Sequence, residues 1–496
     1  MAITLDITGV LQAAAFWVSN KGGSNTRKLF FYFYVMLALL SVALGNDPVI
    51  LSGTAFLVYY TKAAGLEPIA WLMAEFAAAN TSSMVLFVGN PTNVVICEGF
   101  SVNNAAFTAY TIFPFLACTV TCFIALAIQF RDKKYISRKF SVATSLNVRA
   151  ALRDPVGAWV GSILLGTCLA VIIVVSFFKI DVWKISVPFA VAKLAFDLAW
   201  DFYRYRRNRS SGSQKPSTGQ PSEDPMESEL KRAMSLPNEA ALDALNSASE
   251  NNTVNSSLPM TNSSPSSTPY SNSPDNSVNS SPPTTKPSLP STLQPASSDA
   301  SGSSDSRFSW MSKHENFFKG FQSSFVSYFP TVSTALPRLP FGLIPFAFSQ
   351  FILIEALNRQ GWIDVFAHWL MKTTGGDIYP TVWIIGVVGV LLCNVAGTNI
   401  GATIMLTKIV RAASFTGPST RAAAIALAVA SNIGAVSFTF SASLAGLLWN
   451  SILLQKGITV KQRQFAFWNL LPLVVMTTVG LAVVSAEMAV LYPGIR

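Results

Sequence analysis

The stretch LFVGNPTNVVICEGF, Leu86 to Phe100, interrupts an apolar segment with residues that helices avoid. Within it Gly89, Asn90, Pro91, Thr92 and Asn93 follow one another, although the flanking chain is apolar enough to enter a membrane. Gly and Pro are the poorest helix formers. Non-helical backbone at membrane depth is tolerated only where it lines a protein cavity or water. The stretch therefore predicts a broken transmembrane helix beside a cavity.

The composition is that of a polytopic membrane protein. Of the 496 residues, 51% are apolar and 12% are charged, whereas soluble domains carry roughly a quarter charged residues. Three apolar runs reach the roughly 20 residues that a helix needs to cross a bilayer. They are Ala106–Phe130, Val156–Phe178 and Leu470–Tyr492. No cleavable signal peptide is expected, because the N-terminus lacks a basic leader and its first apolar stretch contains Asp6.

Basic residues cluster at the ends of apolar spans, in Arg131–Phe140, Tyr203–Arg209 and Leu454–Arg463. Such clusters mark the cytoplasmic side of a membrane. Two spans, near Val156–Phe178 and Trp183–Trp200, separate the first two clusters and return the chain to the same face. The net charge of +10 is thereby explained by topology, and no nucleic-acid partner is expected.

A change of composition divides the chain. Ser210 to Arg307 is rich in Ser, Pro, Thr and Asn, which predicts a disordered linker. The basic residues before it place this linker in the cytosol. The predicted organisation is an N-terminal membrane half (1–203), a linker (204–318) and a C-terminal membrane half (319–496). Basic residues precede Ser235, which suits a kinase acting on the linker, and an unmodified serine fits equally well.

The two membrane halves share a pattern. Matching segments are Gly45–Gly65 with Thr398–Gly417, and Glu75–Ile96 with Ala426–Trp449. Asn46 and Asn80 are 34 residues apart, and Asn399 and Asn432 are 33 residues apart. The pattern indicates an internal structural repeat.

Charge and span positions predict that the second half is inverted. Leu29–Tyr60 would enter and leave on the cytoplasmic face, as a re-entrant hairpin with its tip at Gly45–Pro48. After the linker, Leu339–Leu357 would cross outward, Ile384–Val410 would be a hairpin from the outside, and Ala423–Leu454 would return. Three basic residues would then face outward, against the charge rule: Lys408, Arg411 and Arg421. The predicted fold is an all-α polytopic membrane protein with two inverted repeats, each with a re-entrant hairpin and a broken transmembrane helix.

Inverted repeats with paired broken helices are typical of secondary transporters, whose site lies at the midplane between the breaks. Broken ends present free N–H and C=O groups, and the positive end of a half-helix can hold an oxyanion. Asn and Thr add neutral donors and acceptors without a buried charge, which costs at least ~2.5 kcal/mol at the bilayer centre. The expected partners are a small-molecule or ion substrate and the lipid bilayer. No cofactor or metal is expected beyond a coupling H⁺ or Na⁺.

Four segments carry a family resemblance: GNDPVILSGTAFLVYYTKAAG, ANTSSMVLFVGNPTNVV, NVAGTNIGATIMLTKIV and ASNIGAVSFTFSASLAGLLWNSILLQKGITVKQRQFAFWNLLPL. They resemble the arsenite permease family (arsenical pump membrane proteins) of the ion transporter superfamily, which also holds citrate and dicarboxylate transporters. The resemblance covers roughly Ile3–Tyr203 and Leu336–Val490. It implies two hairpins and two broken helices around a central site, and efflux of arsenite or antimonite, or transport of another anion. The site positions carried over by motif are Asn46, Asp47, Asn80, Thr81, Asn90, Thr92, Asn93, Thr398, Asn399, Ser431 and Asn432.

The sequence departs from that family in two ways. Bacterial arsenite permeases tend to carry Asp where this chain has Asn80 and Asn432, so the site has fewer titratable groups. The first apolar segment, residues 2–18, resembles the helix just before the first hairpin, so the family's earlier helices are expected to be absent, either because the sequence is truncated at its start or because the scaffold is smaller.

Among ionisable residues, Asp47 at the predicted hairpin tip is the leading candidate for ion coupling, and a hydrogen-bonded structural cap is the alternative. Glu75 fits either the broken helix or the membrane interface. Cys97 and Cys393 fit core packing better than thiolate ligation of a metalloid. The remaining cysteines, Cys118, Cys122 and Cys168, also lie in apolar segments without a disulfide or zinc spacing. No role is assigned to His314 or His368.

The predicted function is ion-gradient-coupled transport of an anion or an arsenite-like oxyacid, at the plasma membrane or the vacuolar membrane. One alternative is a sodium/proton antiporter, and another is a non-transporting membrane scaffold that acts through its linker. The sequence also allows a homodimer. No phosphate loop, nucleophile elbow or metal-ligand cluster is present in the sequence, so an enzyme is not expected.

Overall fold

The structure is a computed structural model, and it describes residues 1–23, 25–136, 148–175, 182–210, 325–339 and 341–494. All of these residues belong to one compact unit of the chain. The predicted linker lies outside the described residues except for residues 204–210, which are helical, and so do Ser235 and His314. Every regular element in the described part is a helix, as the predicted all-α fold requires.

The helices of the first half are numbered in chain order. They are α1 Ala2–Ile7, α2 Val10–Gly22, α3 Thr26–Leu44, α4 Asn46–Ala63, α5 Pro68–Ser82, α6 Pro91–Phe100, α7 Asn104–Gln129, α8 Val148–Ala151, α9 Pro155–Val175 and α10 Val182–Ser210. Those that follow the linker are α11 Pro330–Ala335, α12 Leu343–Arg359, α13 Trp362–Thr374, α14 Ile378–Val395, α15 Asn399–Ala412, α16 Gly417–Ile433, α17 Leu444–Gln455 and α18 Gln462–Leu491.

Five of these helices, α3, α7, α9, α14 and α18, are long and apolar enough to cross a membrane. Three of them, α7, α9 and α18, coincide with the three apolar runs found in the sequence. Helices α10 and α12 lie where the sequence analysis expected two further crossings, near residues 183–200 and 339–357, but neither is among the five. Helix α10 contains the buried ion pair between Lys193 and Asp197, which lowers its mean hydropathy although the charges are hidden inside the protein.

In the first half, two helices joined at one residue are followed by a helix with a break. Gly45 links α3 to α4 at φ +87°, a backbone conformation that glycine adopts without steric cost. Helix α5 ends at Ser82, and a short 3₁₀ turn, Phe87–Gly89, precedes α6. Asn90 caps α6, since its side-chain oxygen accepts a hydrogen bond from the Thr92 N–H at 3.2 Å. The predicted break at Gly89 to Asn93 therefore lies at the start of α6.

The same order of elements occurs in the second half. Helices α14 and α15 are joined by residues 396–398, in which Gly397 has φ +73°. Helix α16 ends at Ile433, and the 3₁₀ turn Phe440–Ala442 precedes α17. Ser443 caps α17, because its hydroxyl oxygen accepts from the Gly446 N–H at 3.0 Å. Both broken helices thus restart at a residue whose side chain caps the new helix.

The two halves pack closely against each other. Helix α7 lies along α18, α6 lies against α15, and α4 lies against α17. A buried aromatic cluster joins Phe76 of α5 to Trp449 and Phe465, with ring centroids 5.6 and 5.3 Å from Phe76. All five cysteines are buried and unbonded, as expected for core packing. Large apolar side chains on the outer faces of α7 and α18, such as Phe113 and Phe467, are exposed, which suits contact with lipid.

Candidate functional site

Asn432, the penultimate residue of α16, is the centre of a buried polar network. Its Nδ2 donates to Asn93 Oδ1 at 2.8 Å and to the Ala428 carbonyl at 2.9 Å. Its Oδ1 accepts from Asn90 Nδ2 at 3.1 Å and from the Ser83 hydroxyl at 3.1 Å. An amide side chain has two N–H donors and two acceptor positions, so all four are used. Three of the partners belong to the first half, and the network therefore joins the two halves at their breaks.

Asn93 on α6 holds the first break in place. Its Nδ2 donates to the carbonyls of Ser83 at 2.9 Å and Leu86 at 2.8 Å. These carbonyls lie where α5 stops, so they have lost the partners that a continuous helix would supply. Asn93 thus satisfies the irregular backbone with its donors and offers its oxygen to Asn432.

The two helix pairs, α3 with α4 and α14 with α15, each contribute one asparagine to the polar contacts at the breaks. Asn46 at the start of α4 donates from Nδ2 to Asn80 Oδ1 at 3.2 Å, and Asn80 in turn donates to the Phe76 carbonyl at 2.9 Å. Asn399 at the start of α15 donates from Nδ2 to the Ser431 carbonyl at 3.3 Å. In both halves, the asparagine that follows the connection between paired helices therefore contacts the end of the broken helix.

Eight of the eleven residues predicted for the site are connected through this network or its immediate neighbours. They are Asn46, Asn80, Asn90, Thr92, Asn93, Asn399, Ser431 and Asn432, with Thr92 and Ser431 joined through their hydroxyls at 3.4 Å. All eight side chains are buried. This places them together, and whether they bind a substrate stays a prediction.

The side chains of the other three predicted residues make contacts outside the network. The Thr81 hydroxyl donates to Met476 Sδ on α18 at 3.2 Å. Thr398 caps α15 by accepting from the Ile400 N–H at 3.3 Å. Asp47, in the first turn of α4, lines a separate cavity of about 1110 Å³, which also contacts the Lys193–Asp197 pair and Arg338.

Three polar residues that contact the two breaks were missed by the sequence analysis. Ser83 donates to Asn432, as described, and also to the Asn80 carbonyl at 2.8 Å. Asn394 on α14 accepts from the Phe438 N–H and the Thr439 hydroxyl, both at 3.2 Å, and donates to the Ser437 hydroxyl. Asn469 on α18 donates to the Ser437 carbonyl at 3.0 Å. Asn394 and Asn469 hold the second break as Asn93 holds the first, and an asparagine inside the apolar run of α14 was the available signal.

Two buried carboxyls flank α4 away from the network. Glu75 of α5 is fully buried; its Oε2 accepts from the Thr54 hydroxyl at 3.0 Å, and its Oε1 has no hydrogen-bond partner among the described residues. Asp6 of α1 accepts from the Ser52 hydroxyl and lies 3.6 Å from Arg338 Nη1. Glu75 therefore lies in the protein interior, within α5, and both its role and its depth in the membrane stay predictions.

Thr54→Val is expected to destabilise the protein by about 1–3 kcal/mol, because the Glu75 carboxyl would lose its partner in a buried position. The measurement is thermal unfolding of the purified protein in detergent. Thr373→Val is the matched control, since the Thr373 hydroxyl is exposed and bonds only to its own helix at the Trp369 carbonyl. An equal melting temperature for Thr54→Val and Thr373→Val would contradict the expectation.

Comparison with known protein families gives matches to transporters. Residues 1–204 match the family model described as Citrate transporter. The chain is 25% identical over 184 residues to the "Arsenical pump membrane protein" of Escherichia coli (strain K12), which covers 36% of this chain and 41% of that protein. It is 26% identical over 206 residues to the protein of the same description in Yersinia enterocolitica, covering 39% and 46%.

A third relative is the "46 kDa membrane protein" of Mycobacterium leprae (strain TN), 26% identical over 150 residues, which are 30% of this chain and 34% of that protein. The chain thus spans less than half the length of the curated relatives that it matches. The matches confirm the resemblance to arsenical pump membrane proteins and citrate transporters.

Proposed function

We propose that this chain, whose residues 1–204 match the family model described as Citrate transporter and which is similar to arsenical pump membrane proteins, is a secondary active transporter of an anion or an arsenite-like oxyacid. The observation that supports the proposal best is Asn432, whose amide joins both broken helices through three hydrogen bonds. The substrate site would lie at this junction.

Local chemistry suits an anion at the junction. The first-turn N–H groups of α6 and α17 face the breaks, and a helix N-terminus carries a partial positive charge that favours anions. The surrounding asparagines and hydroxyls are neutral, so they add donors without competing negative charge. The substrate would replace some of the hydrogen bonds that now connect the halves.

The proposed transport cycle follows from that exchange of partners. The repeated order of a helix pair and a broken helix supports two inverted repeats with re-entrant hairpins, and one repeat would move against the other around the site. The linker between the halves would be cytosolic and open to a kinase. The protein would act in the plasma membrane or the vacuolar membrane, alone or as a homodimer.

The proposal is tested by counterflow of labelled citrate, arsenite and sodium into proteoliposomes that contain the purified full chain. Movement of citrate or arsenite supports an anion or oxyacid transporter. Movement of sodium alone would favour the alternative of a sodium/proton antiporter, for which Asp47 in its cavity is the candidate carboxylate. A folded protein that moves none of the three would contradict transport and favour the scaffold alternative.

Asp47→Asn is expected to abolish uphill uptake driven by an ion gradient while counterflow of the same substrate persists. The reason is that Asp47 is next to Asn46 of the network and supplies a carboxylate that a coupling cation or proton can neutralise. Uphill uptake is expected to fall by at least about tenfold, the equivalent of roughly 1.4 kcal/mol. Asp364→Asn, at an exposed position on α13, is the control. Unchanged uphill uptake by Asp47→Asn would remove Asp47 from the coupling step.

A further inference from the structure

A second cavity, of about 440 Å³, lies between α6, α7 and α16. Its size falls in the usual range for small-molecule sites, roughly 300–1,000 Å³. Arg421 and Tyr110 line one part of it, and Ala428, Thr111 and Ile96 line another. None of these residues contributes a side chain to the polar network, so the cavity is not the junction itself.

The deep end of the cavity borders the network. Ala428 lines the cavity, and its carbonyl accepts hydrogen bonds from Asn432 Nδ2 at 2.9 Å and the Ser431 hydroxyl at 3.1 Å. Thr111 also lines it, and its hydroxyl donates to the Val85 carbonyl, inside the first break, at 3.3 Å. The cavity therefore ends against the backbone of both broken helices.

The opposite end carries a positive charge. Arg421, in the first turns of α16, is exposed and lies over the rings of Tyr110 and Tyr492, at 5.7 and 5.8 Å from their centroids. No acidic side chain of the described residues forms an ion pair with it. Arg421 and Asn432 are eleven residues apart on one helix, or roughly 16 Å at 1.5 Å per residue. The cavity thus leads from a cation at the protein surface toward the junction.

We propose that this cavity is the access vestibule for a small anion, and that Arg421 selects charged substrates at its mouth. The inference rests on the proposed function and narrows its substrate class to anions such as carboxylates. A guanidinium stays charged at all physiological pH values and matches the geometry of a carboxylate. A cation in a cleft with low-dielectric walls also raises the local anion concentration. Arsenite at neutral pH is mainly neutral arsenous acid, on which such a cation has little effect.

The first test is the kinetics of citrate and arsenite exchange by Arg421→Gln in proteoliposomes. The KM for citrate is expected to rise by roughly tenfold, the scale of one lost charge-assisted hydrogen bond, with the maximal rate within about twofold. The KM for arsenite is expected to stay unchanged. Arg411→Gln is the matched control, because Arg411 is also exposed and basic but does not line the cavity. Equal effects of the two variants, or an unchanged citrate KM in Arg421→Gln, would overturn the proposal.

The second test is direct and does not require transport. Ser101→Cys places a thiol at an exposed position in the cavity lining, and the five native cysteines are buried. Citrate is expected to slow labelling of this thiol by a charged, membrane-impermeant maleimide. Thr373→Cys is the control, because Thr373 is exposed and lies outside the cavity lining. Its position is close to the start of α16, since the carbonyl of Gly376, three residues later, accepts a hydrogen bond from Ser419 of α16 at 2.6 Å.

The two tests distinguish a failure of the vestibule proposal from a failure of the proposed transport function. Citrate protection of Ser101→Cys alone, in a protein that moves no anion, would support the vestibule and contradict transport. Citrate exchange without protection, and with an unchanged KM in Arg421→Gln, would support transport and overturn the vestibule. Protection by a lysophospholipid but not by citrate would identify a lipid crevice and also overturn it.

Discussion

Counterflow is expected to fall by at least about 100-fold in Asn432→Ala, because truncation leaves several buried partners unsatisfied at about 1–3 kcal/mol each. The groups that lose a partner are Asn93 Oδ1, the Ala428 carbonyl, Asn90 Nδ2 and the Ser83 hydroxyl. These groups belong to buried residues, so water does not readily replace the lost bonds. The junction between the halves would lose the geometry on which substrate binding depends.

Asn358→Ala is the control for this variant, since Asn358 is exposed on α12 and its side chain lies outside the network. Asn432→Asp is a second probe, because it keeps an acceptor for Asn90 and Ser83 but removes the donor to Asn93. We expect Asn432→Asp to retain more exchange than Asn432→Ala if the bonds to Asn90 and Ser83 dominate. Wild-type exchange by Asn432→Ala would show that the junction is not the substrate site.

Gly89→Ala is expected to have the second largest effect. A Cβ atom at residue 89 would lie 2.2 Å from the Ser83 carbonyl oxygen and 3.0 Å from its carbon. Both are backbone atoms of the first break, so no side chain can move aside, and overpacking of this kind typically costs ~1–3 kcal/mol or more. We expect a lower melting temperature and loss of most counterflow.

Two further glycine variants provide a second test position and a control. Gly446→Ala changes the second break, where a Cβ would lie 2.4 Å from the Phe440 carbonyl oxygen, and a similar loss is expected. Gly166→Ala on α9 is the control, because no heavy atom lies within 4 Å of the added Cβ. If Gly89→Ala behaved like Gly166→Ala, the tight geometry of the first break would not matter for function.

The first break was predictable from local sequence, and the second was less so. In that stretch Gly89 is a flexible residue and Asn90 is a good helix cap. Pro91 then suits the first turn of a helix. The second break, residues 434–443, contains no proline, and only its likeness to the first half indicated a special role.

Long-range contacts account for most of what sequence reasoning missed. Asn394 and Ser437 are 43 residues apart, and Asn469 and Ser437 are 32 residues apart. Such pairs depend on how α14, α16 and α18 pack, which no local pattern contains. Likewise Arg421 contradicted the charge rule in the sequence, whereas the structure places it in the lining of a cavity.

The chemistry of the junction has an electrical consequence. The side chains that meet there, from Asn46 to Asn432, are amides and hydroxyls, which do not ionise at physiological pH. A rearrangement of the junction between two orientations would therefore carry no fixed protein charge across the membrane. The current per turnover would then report the charge of the substrate, of its coupling ion and of any carboxylate beside the junction that moves with them, such as Asp47. Each net charge moved would change the free energy of a cycle by about 2.3 kcal/mol per 100 mV, so membrane voltage could distinguish a citrate carrier from a carrier of neutral arsenous acid.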